Sequence, residues 1–214
     1  MPKKVKDYSS ITSCWEGVRN GNEHAFSDLF MWYYSDIYHY GMSIVNHPDL
    51  VKDTIQDVFS RLWEKRASIG EARNPKAYLL TSFRRRLFLN KEIYSLEVTD
   101  DVIRNAAHKS FSFEPLDFIE TDELSDQLRH SLLHALNSLS AKQKEIIVLR
   151  FYHQLRYGEI AQIMSVNEQT VRNLMHRIME KLRDKIDPGL KEEIGKIKDL
   201  ILHPLLPGKG NEIT

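Results

Sequence analysis

Apolar residues recur at helical spacing along most of this chain. From residue 22, Ala25, Phe26, Leu29, Phe30, Tyr33, Ile37, Tyr38 and Gly41 fall three and four apart, which predicts one aromatic-rich helix with those rings in a core. His47-Pro48-Asp49 breaks it. A second helix runs from about Asp49 to Lys65, with Val51, Ile55, Val58, Phe59 and Leu62 inward. Ser68-Ile69-Gly70 reads as loop. Asn74-Pro75 starts a third helix, since asparagine caps well and proline suits the first helical position; Ala77, Leu80, Phe83 and Leu87 face inward there. Residues 92–122 hold no sustained period. Periodicity resumes near Leu124 with Leu128, Leu132 and Leu136.

The stretch from Ser140 to Lys185 predicts three more helices, the last two forming a helix-turn-helix. Ser140 with Gln143 makes a capping box. A short helix carries Ile160, Ala161, Ile163 and Met164, Ser165-Val166-Asn167 interrupts, and Asn167 caps the final helix. Val171, Leu174, Met175, Ile178 and Leu182 line one face of that helix; Gln169, Arg172, Asn173, His176, Arg177 and Lys181 line the other. Donors and cations near the N-terminal half suit a DNA major groove, where phosphates are neutralised and base edges are read. A solvated polar face on a packed three-helix core is the plainer alternative. No strand-like alternation runs for any length, so the expected fold is all-α: two small helical domains joined by an acidic linker, the second holding the helix-turn-helix. The expected boundaries are 1–21 for an N-terminal lead, 22–90, a linker at 91–123, 124–186, and a tail at 187–214 in which residues 190–202 have the pattern of one short amphipathic helix.

Charge sharpens this picture. The chain has 214 residues, with 30 basic and 30 acidic side chains, so net charge alone argues for no polyanion-coating role. The distribution argues otherwise. Arg73 to Lys91 holds six cations and no acid, whereas Glu92 to Asp126 holds ten acids and two bases. The single cysteine, Cys14, excludes an internal disulfide and fits a reducing cytoplasm. No apolar signal core opens the chain and no run approaches the ~18 apolar residues of a membrane span, so a cytoplasmic protein without membrane insertion is expected.

Catalytic constellations are missing from the pattern. Gly208-Lys209-Gly210 has neither the length nor the context of a phosphate loop. His130 and His134 stand one helical turn apart without a third ligand, so no metal and no cofactor is expected. The outer face of the second helix is more telling: it groups Asp53, Gln56, Asp57, Ser60 and Arg61, with Phe59 and Trp63 at the edge. Acids beside a large aromatic make a docking surface for a basic partner helix. The same residues also fit a solvated face with Trp63 in the core.

Val51-Lys52-Asp53-Thr54-Ile55-Gln56-Asp57-Val58-Phe59 and then Leu62-Trp63-Glu64-Lys65-Arg66 closely resemble the signature helix of bacterial extracytoplasmic-function sigma factors. Asn74-Pro75-Lys76-Ala77-Tyr78-Leu79 resembles the segment after it, and the stretch from Leu139 to Arg183 resembles the family's C-terminal domain. The resemblance spans about 22–90 and 124–185. It implies a non-enzymatic subunit that binds core RNA polymerase, through its clamp helices and flap, and directs it to promoter DNA, with an anti-sigma factor as a further expected partner.

By position, Asp53, Gln56, Asp57, Phe59 and Trp63 match the face that docks on the clamp helices. Arg66 to Asn74 matches a loop that captures an unstacked base of the −10 element, with Arg66, Asn74, Lys76, Arg84, Arg85 and Arg86 as the −10 set. Gln169, Arg172, Asn173, His176 and Arg177 match the −35 readers, and the acidic linker matches the segment that threads toward the RNA exit channel. Four features depart from the family: Arg156 where a Ser or Thr cap is usual, Ser165 where Gly is usual in the turn, the Arg84–Leu89 run, and the tail after Asp187. The rival readings are a stand-alone dimeric helix-turn-helix regulator, and a sigma factor placed on DNA by an additional recruiting partner.

Overall fold

Side-chain caps mark where the helices begin. In the computed structural model, which describes residues 8–97 and 126–185, the described residues form two helical units with no strand among them. The first contains α1 (Tyr8–Arg19), α2 (Glu23–Ile44), α3 (Pro48–Glu64) and α4 (Pro75–Glu97). Asn22 accepts from the Ala25 N–H at 3.1 Å, the His47 ring nitrogen accepts from the Leu50 N–H at 3.1 Å ahead of Pro48, and Asn74 accepts from the Ala77 N–H at 3.2 Å ahead of Pro75. Each bond satisfies one of the amides that a helix's first turn leaves without an intrahelical partner.

Leu29, Tyr33, Ile37 and Tyr40 of α2, Val51, Ile55, Phe59 and Leu62 of α3, and Leu79, Leu80, Phe83 and Leu87 of α4 fill the core. The three helices close tightly at Gly41, where a Cβ would lie 2.6 Å from Val51 and 2.7 Å from the Phe83 ring. Thr54, fully buried, satisfies its hydroxyl within the core by donating to the Leu50 carbonyl at 2.7 Å.

Two expected boundaries are corrected. Residues 8–19 are not a lead but α1, whose Ile11, Cys14, Trp15 and Val18 stripe is buried against the rest of the unit. α4 does not stop near residue 90 but continues to Glu97, into the segment assigned to the linker. The rest of that linker, from residue 98 to 123, and the tail from 187 lie outside the described residues.

From residue 126 onward the described helices are α5 (Asp126–Asn137), α6 (Ala141–Ile147), a π-helical turn (Val148–Tyr152), α7 (Tyr157–Met164) and α8 (Glu168–Lys185). The capping box at Ser140 is complete: its hydroxyl accepts from the Gln143 N–H at 3.4 Å, and the Gln143 side chain accepts from the Ser140 N–H at 3.0 Å. Asn167 accepts from the Thr170 N–H at 2.7 Å and so starts α8. At α7 the usual hydroxyl cap is replaced. The Arg156 backbone N–H donates to Glu159 at 2.8 Å, which is the reciprocal half of a capping box. Leu132, Leu136, Ile146, Leu149, Ile160, Val171, Met175 and Ile178 are buried. Lys181, expected on the outer face of α8, instead reaches the Ser138 carbonyl at 2.6 Å and closes the C-terminal end of α5.

Candidate functional site

On α3, positions 53, 56, 57 and 60 are related by spacings of three and four and share a face. Asp53, Gln56 and Ser60 are exposed there. Asp57 is partly covered because it accepts from two guanidiniums, Arg61 at 2.8 Å on its own helix and Arg86 of α4. Phe59 does not belong to this surface. It is 2% exposed, edge-on to Phe30 at 4.9 Å and Phe26 at 6.0 Å, so its assignment to a docking face is corrected to the core. Trp63 lies between the two readings offered for it. It packs on Phe26 at 4.9 Å, lies under the Arg66 guanidinium at 4.4 Å, and remains partly exposed.

The six residues expected at the −10 element do not assemble into one cationic patch. Arg66 donates to the Trp63 carbonyl at 2.7 Å and so caps α3 while stacking on Trp63. Asn74 is committed to capping α4. Lys76 pairs with Asp36 of α2 at 3.1 Å, with both side chains largely covered, and Arg86 is held by Asp57. Arg84 lies over the Phe88 ring at 4.7 Å, and Arg85 is exposed. Around these two, α4 shows Tyr78, Phe88 and Leu89 to solvent. Tyr78, Arg85 and Leu89, at i, i+7 and i+11, form one outer stripe. A cation among apolar and aromatic side chains suits an unstacked base and its phosphate.

The loop between α3 and α4 is tied to α1, an element that the expected domain boundaries exclude. The Trp15 indole N–H donates to the Gly70 carbonyl at 3.1 Å, and Arg19 Nε donates to the Ile69 carbonyl at 3.1 Å. The i, i+3, i+4, i+7 spacing of Ile11, Cys14, Trp15 and Val18 is the sequence signal for α1.

On α8 all five expected readers, Gln169, Arg172, Asn173, His176 and Arg177, are exposed on one face. Several are pre-ordered by neighbours. Gln169 donates to Asn173 at 2.9 Å, His176 faces Glu180 at 3.4 Å, and Arg172 pairs with Glu168 while its guanidinium lies 5.0 Å from the Tyr157 ring centre. Tyr157 and Glu168 were not expected here. Glu168 sits close over Gly158, where a Cβ would approach its carboxylate to 3.1 Å.

Other reactive groups are occupied or scattered. Cys14 donates its thiol to the Ala25 carbonyl at 3.1 Å, and burial, with Asp28 nearby, pushes the thiol above its ordinary range. His130 and His134 are exposed on α5. Among the described residues no group of three His, Cys, Asp or Glu side chains is placed to hold a metal ion, and no helix is long and apolar enough to cross a membrane.

Two family descriptions match the chain in the order of its units: Sigma-70 region 2 over residues 29–88 and Sigma-70, region 4 over residues 129–182, together more than half of the sequence. The chain is 27% identical over 173 residues to the ECF RNA polymerase sigma factor SigK of Mycobacterium sp. (strain JLS), covering 80% of this chain and 83% of the relative. It is 23% identical over 171 residues to the RNA polymerase sigma factor YlaC of Bacillus subtilis (strain 168), covering 79% and 96%. Its fold is similar to CnrH, solved in complex with the cytosolic domain of CnrY (TM-score 0.54, 16% identity, 82% of this chain and 96% of that one). It is also similar to the sigma factor RpoE of Bartonella quintana, solved with the anti-sigma factor NepR (TM-score 0.50, 22% identity, 74% and 94%).

Proposed function

The chain belongs to the extracytoplasmic-function group of the sigma-70 family, and from that premise we propose how its surfaces divide the work of binding core RNA polymerase and directing it to promoters. It acts without catalysis, as a specificity subunit, and works in the cytoplasm beside the polymerase.

The exposed Asp53–Gln56–Ser60 row of α3, bordered by Asp57 and Trp63, docks on a basic helix of the polymerase clamp. The carrying observation is that this row is polar and unburied, with Asp53 acidic, while Thr54, Ile55, Val58 and Phe59 between its members are buried. Acids facing a basic partner steer association and fix its register. The outer stripe of α4, with Arg84 and Arg85, and the loop before it take the single-stranded −10 element. The exposed face of α8 reads the −35 element in the major groove. An anti-sigma protein of the kind bound to RpoE is the natural inhibitor, since such a partner needs only to cover these faces.

Co-purification with core polymerase tests the reading at its root. The chain should be retained on core and should support initiation from a defined promoter pair. Specific duplex binding as a symmetric dimer, with no retention on core, would replace it with a stand-alone regulator.

A further inference from the structure

We infer that α1 is the positioning element of the loop between α3 and α4, and that Trp15 and Arg19 set which base that loop accepts; the inference rests on the reading of this loop as a −10 contact.

The loop's local bonds are confined to its ends. Ser68 and Ile69 N–H groups donate back to Lys65 at 2.8 and 3.1 Å, and Asn74 caps α4 at the other end. Between them Gly70 is exposed, and a Cβ built on it meets nothing within 4 Å, while the Ile69 side chain before it is buried in the core. Beyond that anchor, the two carbonyls are held from 50 and 55 residues away: Arg19 on the Ile69 carbonyl and Trp15 on the Gly70 carbonyl. The Trp15 donor is well fixed. Trp15 is 1% exposed and stands edge-on to Tyr78, at 5.0 Å, in the first turn of α4. Two adjacent carbonyls held by two side chains of one helix fix the orientation of two successive peptide planes. A pocket for an unstacked base needs that kind of preorganised backbone. α1 carries none of the residues matched to DNA or polymerase, so its contribution is to geometry.

The experiment uses full-length protein with core enzyme and a promoter library varied across the −10 element. Trp15→Phe keeps the ring against Tyr78 and removes the donor; it is combined with Arg19→Ala. Each hydrogen bond is worth about fivefold in an equilibrium, so the pair should flatten −10 base preference by at least about tenfold. Core affinity and −35 preference should be unchanged, amide exchange at residues 70–73 should rise, and Arg19→Lys in place of Arg19→Ala should recover part of the preference.

A loop variant, Glu71→Gly with Arg73→Ser, separates the two ideas. If it shifts −10 preference while the α1 pair does not, the positioning inference is overturned and the loop reading stands. If neither shifts it, the loop reading falls and carries the inference with it. Should the pair lower the thermal midpoint, Arg19→Gln alone, at the end of α1, serves as the probe, and unchanged exchange at residues 70–73 would overturn the inference directly.

Discussion

Asp57 and Arg86, 29 residues apart, form an ion pair that joins α3 to α4. Asp57 borders the face proposed to meet the polymerase, and Arg86 stands at a position matched to promoter contact. One carboxylate therefore lies between two surfaces that the sequence keeps apart. It already serves Arg61 as well, so a cation arriving from a partner competes with two internal ones.

The consequence for docking is that Asp53, rather than Asp57, is the clean probe. Asp53→Arg places a cation on the exposed row and should abolish retention on core polymerase, since like charges across an interface cost several kcal/mol. The thermal midpoint should not move. Asp57→Arg should lose core binding too, but it also sets three guanidiniums together and should cost about 1 kcal/mol of stability, the upper end for a partly exposed pair. Pull-down paired with thermal unfolding checks both; wild-type retention of Asp53→Arg would place the docking face elsewhere.

Gly41→Ala should destabilise the first unit by about 1–3 kcal/mol, as overpacking of a filled core does. The added methyl would meet Val51 and Phe83 far inside contact distance, and both are anchored in neighbouring helices. A wild-type unfolding midpoint would mean that α2 can withdraw from α3 and α4 at little cost.

The range of an interaction decides whether the sequence makes it legible. The apolar stripes of α2, α3, α4, α7 and α8 and the caps at Ser140, Asn74 and Asn167 are local patterns within a few residues, and they appear as expected except that Ala25, Phe26, Phe30, Tyr38 and Leu174 are only half-buried and Tyr40 joins the core. The exposure of the α8 row is equally readable. The partners of the cations are not. Lys76 with Asp36, Arg86 with Asp57 and Lys181 with the Ser138 carbonyl span 40, 29 and 43 residues, and no periodicity encodes which opposite charge will lie across a helix pair. Phe59 stands at the edge of the α3 stripe, where core and surface are both open to it; only Phe26 and Phe30 of α2 decide between them. α1 is hard to read because serine and threonine dilute its stripe.

Arg172 and Arg177 should differ in kind. Arg172 is oriented by Glu168 and the Tyr157 ring, as a base-reading side chain needs to be. Its replacement by Ala should cost about 1–3 kcal/mol on the preferred −35 duplex and relax preference at one base pair. Arg177 has no such holder among the described residues, and Arg177→Ala should weaken all duplexes alike and lower the salt slope by about one. Binding titrations of the holoenzyme at several salt concentrations, on matched and mismatched sites, distinguish the two. Identical salt slopes and identical preferences for both variants would remove direct readout by this face.

The turn of the helix-turn-helix holds Ser165 at φ 54° with its side chain exposed. In this left-handed region an L side chain crowds its own backbone at a cost of about 1–2 kcal/mol, which glycine does not incur. Glycine gives back about 0.5–1 kcal/mol through the greater freedom it has when unfolded. Ser165→Gly should therefore stabilise the helix-turn-helix by about 0.5–1 kcal/mol, a rise of roughly 2–8 °C in the midpoint of a small domain. Ser165→Val should do the reverse, because a β-branched side chain tolerates this conformation least. The glycine variant keeps the turn, so the placement of α8 and the −35 affinity should be unchanged. Thermal unfolding of the two variants beside wild type, with duplex binding measured in the holoenzyme, checks both halves; a midpoint lowered by Ser165→Gly would show that the serine side chain itself supports the turn.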